Sequence, residues 1–380
     1  MKVYGRAGHS RRGLSVFIVA VLVLAAASCG GPSFPQETTE AFSGELDRVM
    51  LTYDIPGAVA GVWVPSRGTW FVARGEADVK TGVPVKTGDE FRIASITKTF
   101  TATMVLILAD EGKLSLDDKL SEYVPGIANS ENITIRQLLN HTSGISDQDP
   151  TGVWAEYFSQ TDRMLKHWTP MEVVQAYTGG VVHNEPGKQW EYSNAGYVAL
   201  GMVIEEASGR SVPDFCQEKI AGPLGLENTY FPTGAEIAGE HAHGYDGDKE
   251  VTRMDMSWDF TAGAMISTAH DLKVWAKAFA TGELLSPEMR EQQNTFIDIP
   301  GREGNAKEGL GPEWNRGWLG HSGANIGYQS EMWYYPEEDA TVVVLMNKLS
   351  SDSSDLGAST RAFVQFVNTL FPGTFPLPPD

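Results

Sequence analysis

The chain has 380 residues, 42% of them hydrophobic and 21% charged, with 49 acidic against 29 basic side chains and a formal net charge of −20. That balance excludes a mostly disordered chain and a multi-span membrane protein. The acidic excess argues against nucleic acid or an anionic lipid surface as a partner, and favours a monomer. The length predicts one large domain or two lobes.

The first 28 residues have the order of an export signal. Lys2, Arg6, Arg11 and Arg12 form a basic stretch with no acidic residue. An apolar run from Leu14 to Ala27 follows, broken only by Ser15, and small residues end it at Ser28. The run is short for a membrane-spanning helix. Cys29 comes next and resembles the lipidated cysteine of bacterial lipoproteins, with residues 29–37 as a tether. The expected location is therefore the cell envelope, by an N-terminal lipid anchor, with plain secretion as the alternative. Cys216 is the other of two cysteines and is expected to be a small buried residue, leaving no intrachain disulfide.

Along the body, Thr38 to Tyr53 has helical spacing at Phe42, Leu46, Val49 and Met50. Residues 57–64 and 69–74 read as strands. Residues 97–109 read as a buried helix stopping near Gly112. Thr134 caps a short helix through Leu139, and Ala195 to Ala207 forms another before Gly209. Residues 316–321, 328–335 and 341–347 read as neighbouring antiparallel strands, and Asp355 to Leu370 as a final helix. The order predicts an α+β fold. One antiparallel sheet is built from both chain ends and flanked by helices, with an α/β lobe over about 38–110 and 255–375. A mainly helical lobe over about 111–254 is inserted, leaving a cleft.

Three short patterns carry chemistry. Ser95 and Lys98 are three apart at the start of an apolar helix, so both face the same way. A serine hydroxyl is a weak nucleophile until a neighbour takes its proton, and a lysine of lowered pKa can do so. Tyr192-Ser193-Asn194 precedes the next long helix; a phenol beside an ammonium is expected to ionise below its usual range and to relay a proton. His321-Ser322-Gly323-Ala324 reads as a strand edge where Gly323 lets backbone approach closely. Each pattern alone is also consistent with a cap, a turn or an ordinary strand end.

Together, and in this order, Ser-x-x-Lys, Tyr-x-Asn and His-x-Gly resemble the penicillin-recognising serine hydrolases: class C β-lactamases, D-alanyl-D-alanine carboxypeptidases and related esterases. The resemblance runs from about residue 45 to residue 348 and includes residues 110–123, 134–145, 186–209 and 258–268. It implies a β-lactamase/transpeptidase-like fold and acyl transfer through Ser95, with no metal or cofactor. It further implies Lys98 and Tyr192 as proton carriers, Asn194 as a substrate-amide ligand and His321 as part of the polar cluster. The N–H groups of Ser95 and Ala324 would hold the oxyanion, beside Ser322 and Gly323. The substrate would be a small molecule or a peptidoglycan peptide.

Ala324 departs from that pattern, because the family usually has Ser or Thr there to help bind a substrate carboxylate. Arg316 and Lys307 are candidate replacements for the anchor. The missing hydroxyl raises the prospect of a broader esterase or amidase, and a non-catalytic wall-binding or β-lactam-sensing protein is a further alternative. His321 replaces a lysine, so activity is expected to vary between about pH 5 and 8. Gly320 to Ala324 nearly matches a nucleophile elbow but lacks its last glycine. His241, His243, Asp246 and Asp248 lack a standard metal spacing. Trp154, Tyr157, Phe158 and Trp168 pack a core or wall a cleft.

Overall fold

The computed structural model describes residues 32–149, 152, 157, 163–349 and 357–376. The export segment, Cys29, Trp154 and Phe158 lie outside the described residues.

The helix Gln36–Thr52 (α1) buries Phe42, Leu46, Val49 and Met50, the face its spacing predicts. It leads into a sheet of nine strands among the described residues. They are Gly57–Val64 (β1), Gly68–Asp78 (β2), Val83–Pro84 (β3), Ile297–Asp298 (β4), Ala306–Glu308 (β5), Glu313–Asn315 (β6), Trp318–Asn325 (β7), Tyr328–Tyr335 (β8) and Ala340–Met346 (β9). Their order across the sheet is β3-β2-β1-β9-β8-β7-β6-β5-β4. The last long strand pairs antiparallel with the first, Ala58 opposite Met346 and Val62 opposite Val342. Both chain ends therefore build one sheet, as the element order implies.

Every residue of β1 is buried. Ala58, Ala60, Val62 and Val64 pack on one side of the sheet, Val59 and Trp63 on the other. Alternate residues of β9 divide the same way, with Val342, Val344 and Met346 set against Val343 and Leu345. Side chains on a strand alternate between faces, so a strand covered on both faces reads as a continuous apolar run. One cover is α1 with the C-terminal helix Ala358–Leu370, where Phe42 meets Phe366 edge-on at 5.6 Å.

The other cover includes Thr97–Asp110 (α2) and Ala269–Thr281 (α4), joined by Phe100 stacked on Trp275 at 4.2 Å. Between them in sequence, Asn194–Ser208 (α3) starts from a Ser193 cap and ends at left-handed Gly209. α4 is not among the expected elements, although Leu272, Trp275, Ala276 and Phe279 have helical spacing and are buried, and the Thr268 side chain caps Asp271 N. Strands β4 to β6 also escape it, because two or three residues are too few to show alternation. Cys216 is buried, and burial pushes its thiol up to about 12.

Candidate active site

The first functional side chain sits at a tight turn. Ile93 N donates to Met265 O (3.0 Å), and Ala94 then adopts φ +47°, a left-handed conformation disfavoured for a residue with a Cβ. Ser95 follows immediately, in a single 3₁₀ turn that runs into α2.

Lys98 lies one helical turn on and is fully buried. Its Nζ donates to Ser95 Oγ (3.2 Å), Asn194 Oδ1 (2.7 Å) and Ala262 O (2.8 Å). An ammonium has three protons, and here each has an acceptor. Burial lowers the Lys98 pKa to about 8, against the attraction of Asp259, Asp147 and Glu308. The neutral amine would keep two donors and offer its lone pair to the Ser95 proton.

Tyr192 lies beside this pair, with Lys98 Nζ 4.7 Å from the ring centroid. The cation faces the ring. Burial raises the phenol well above 10, and a hydrogen bond with Ser95 only partly opposes it. The expectation of a phenol ionised below its usual range is thus corrected: desolvation outweighs the nearby charge. The resting phenol is neutral.

His321 requires the same correction. It is buried on β7, and burial together with Lys98 lowers it to about 4. Its Nδ1–H donates to Ser322 O at 2.5 Å, leaving Nε2 as an acceptor. The imidazole stays neutral between pH 5 and 8, so it supplies no titration there. Its ring centroid is 6.3 Å from that of Tyr192.

Gly323 shows why glycine stands at this point of the strand. A Cβ there would overlap Ile93 O and Ser330 Oγ and come within 3.1 Å of Ser95 N. The Ser330 hydroxyl donates to Ile93 O (2.8 Å), which ties β8 to the turn before Ser95. Ser95, Tyr192, His321, Ser322 and Ala324 all line one cavity of about 500 Å³. Lys98, Asn194 and Gly323 are not part of that lining. Asn194 Oδ1 accepts from Lys98, so this oxygen helps to hold the lysine.

The structure adds residues that the motifs do not name. The half-buried Asp147 carboxylate accepts from Asn194 N (2.6 Å), Ala195 N (3.1 Å) and Ser193 Oγ (3.2 Å), fixing the start of α3. His141 accepts from Ser193 N at Nδ1 (3.1 Å), and its ring lies 4.5 Å from that of Tyr192. Burial lowers its pKa well below the usual imidazole range, so it is a neutral platform for the tyrosine. Trp190, Arg302, Glu308 and Glu313 complete the polar and aromatic part of the cavity. Proximity in the fold reveals these six; His141 and Trp190 fall in segments 134–145 and 186–209, which carry the family resemblance without marking either residue.

Several expected roles fall elsewhere. Neither Arg316 nor Lys307 lines the cavity. Arg316 occupies a left-handed position at φ +51°, and Lys307 Nζ lies 5.8 Å over the Trp314 ring. The cation at the cavity is Arg302. Ser322 is mid-strand and the chain continues into the β7–β8 hairpin, which is not a strand-to-helix elbow. Tyr157 and Trp168 are buried edge-on at 5.5 Å and do not line the cavity. His241 Nδ1 engages Gly239 O (2.7 Å), and His243 stands beside Glu250.

A family model described as Beta-lactamase matches residues 39–365. Penicillin-binding protein 4* of Bacillus subtilis (strain 168) is 30% identical over 296 residues, covering 72% of this chain and 64% of that protein. Among solved structures, a D-stereospecific amidohydrolase from Streptomyces sp. superposes with TM-score 0.78 at 28% identity, covering 88% of this chain and 99% of that one. The D-amino acid amidase from Ochrobactrum anthropi SV3 gives 0.77 at 26% identity, with coverage of 88% and 99%. The chain spans about 60% of the length of several curated relatives it matches. With the family model covering most of the sequence and the fold shared with these solved neighbours, the chain belongs to the beta-lactamase family.

Proposed function

We propose that this chain is an exported serine hydrolase that forms an acyl-enzyme on Ser95, acting on small amide, β-lactam or ester substrates. The observation that carries the reading is the Ser95 hydroxyl at the cavity wall with a fully buried Lys98 amine 3.2 Å behind it. Neutral Lys98 takes the Ser95 proton as Oγ bonds to the carbonyl carbon. Tyr192, beside Lys98, passes its phenolic proton to the leaving nitrogen or oxygen as its bond to carbon breaks, and regains one from the Lys98 ammonium. The N–H groups of Ser95 and Ala324 hold the oxyanion. Water then attacks the acyl carbon and releases Ser95 with its proton restored.

Intact-mass spectrometry after exposure to a fluorophosphonate and to benzylpenicillin tests this, with Ser95→Ala as the control. The expected result is a fluorophosphonate adduct that Ser95→Ala loses. No adduct, together with no hydrolysis of p-nitrophenyl acetate or benzylpenicillin, would leave the non-catalytic reading in its place. Within the class, Ala324 and the acidic lining at Glu308 and Glu313 favour amide and ester turnover over carboxylate-bearing β-lactams.

The lysine sets the expected pH dependence. Its base form grows as pH rises through about 8, so kcat/KM should climb between pH 6 and 9. His321, already neutral above about 4, adds no step. The limb should keep its position in His321→Gln even as the rate drops; a limb that disappears in that variant would make the imidazole the base.

Gly323→Ala is expected to lower kcat/KM by about 100-fold, because the new methyl displaces the turn that holds Ser95. Steady-state turnover of p-nitrophenyl acetate reads this, and a loss under threefold would contradict the packing argument.

The proposed export includes lipidation of Cys29, supported by the basic, apolar and small-residue order before it. Metabolic labelling with an alkyne fatty acid in a bacterial host should mark the full chain but not Cys29→Ser. Equal labelling of the two would remove the lipid anchor from the proposal.

A further inference from the structure

Two short edge strands bring a pair of acids into the cavity that holds Ser95. Glu308 ends β5 and Glu313 begins β6, and the two are directly opposite in the antiparallel register. Cross-strand partners project from the same face of a sheet, and like charges there repel. Both side chains line the Ser95 cavity.

Glu308 is only 3% exposed, and its Oε1 has no hydrogen-bond partner. A buried carboxyl oxygen left without a donor is unfavourable unless something else satisfies it. The lining cation does not do so. Arg302 is on the rim, 62% exposed at its side chain, and its Nη1 is 3.9 Å from Glu313 Oε1. Lys98 has its three donors placed on Ser95, Asn194 and Ala262. Burial and the mutual repulsion of the pair hold Glu308 well above the usual carboxylate range, and burial brings Glu313 to about 7. Both carboxyls would gain from an arriving positive charge.

We propose that Glu308 and Glu313 form the subsite for a primary ammonium of the substrate, so that the enzyme selects amides or esters bearing a free α-amino group. The inference rests on the reading of Ser95 as nucleophile, since it places the selected group in the same cavity. An ammonium fits better than a metal ion. The pair supplies two carboxyls, and no group of three or more His, Cys, Asp or Glu side chains is placed to hold a metal among the described residues. An ammonium donates up to three hydrogen bonds and matches one orphan oxygen plus a neighbouring carboxyl. The selectivity is opposite in sign to a carboxylate anchor, consistent with the missing hydroxyl at Ala324.

The test is competitive inhibition of p-nitrophenyl acetate hydrolysis by D- and L-alaninamide and by their N-acetyl derivatives, using the full chain. At least one free amide is expected to bind about tenfold or more tightly than its N-acetyl form. In Glu308→Gln that ratio should fall to within about threefold of unity, with a partial fall in Glu313→Gln. Fluorophosphonate labelling of Ser95 in each variant verifies that the site is intact, and if Glu308→Gln fails to label, Glu313→Gln carries the comparison. A wild-type protein with no preference for the free amine, or a ratio unchanged in the variants, overturns the proposal. So does a Glu308→Gln that weakens both ligands equally while moving the pH limb, because the acid would then serve Lys98. Absence of both p-nitrophenyl acetate hydrolysis and the fluorophosphonate adduct in the wild type strikes the serine reading itself, a separate failure.

Discussion

Replacing Lys98 with alanine is expected to lower kcat/KM toward p-nitrophenyl acetate by about 10³- to 10⁴-fold. Two effects combine. The Ser95 hydroxyl loses the amine 3.2 Å away that accepts its proton. Asn194 Oδ1 and Ala262 O lose their common donor, which loosens the start of α3 against α2. Lys98→Arg should fail to rescue the rate, since a guanidinium does not release its proton near neutral pH. The double variant Ser95→Ala, Lys98→Ala should be little worse than either single one, as expected of groups acting on one proton. Steady-state kinetics on the four proteins decide this. Retention of more than a tenth of the activity in Lys98→Ala would assign the base to another residue, with Tyr192 next in line.

Replacing Arg92 with alanine is expected to lower folding stability by about 3–5 kcal/mol. Arg92 is fully buried three residues before Ser95, and burial lowers the pKa of its guanidinium. Its Nη2 donates to Ala235 O (3.0 Å), Thr252 O (3.0 Å) and Met254 O (3.1 Å). Removing the side chain strands those carbonyls and leaves a cavity. Arg92→Lys should recover part, because an ammonium has three donors for the three carbonyls that Nη2 serves, while the shorter side chain leaves the guanidinium volume unfilled. Urea denaturation followed by tryptophan fluorescence gives the difference. A loss under about 1 kcal/mol would mean that water replaces the lost donors.

The two corrected pKa directions share one cause. Tyr192 beside a lysine reads locally as an acidified phenol, and His321 as an imidazole that titrates near neutrality. Both statements consider neighbours along the chain or within a motif. Burial depends on what the fold stacks over the group, and here it raises Tyr192 and lowers His321. The pH response consequently moves from the imidazole to Lys98.

The sequence by itself determined the sheet from both ends, the α2 and α3 helices and the identity of Ser95, Lys98, Tyr192 and His321 as residues of one place. Continuous apolar runs, caps and glycine stops are local signals, and the motif order carried the family resemblance. Only the tertiary structure decided which groups accompany them. Asp147 and His141 act by capping and stacking across the chain. Glu308 and Glu313 sit on strands of three residues whose register alone makes them a pair. Spacing along a chain reports which residues share a face of one element. Which faces meet, and how much water they exclude, is set by packing between elements, and the charges in this cavity depend on that exclusion.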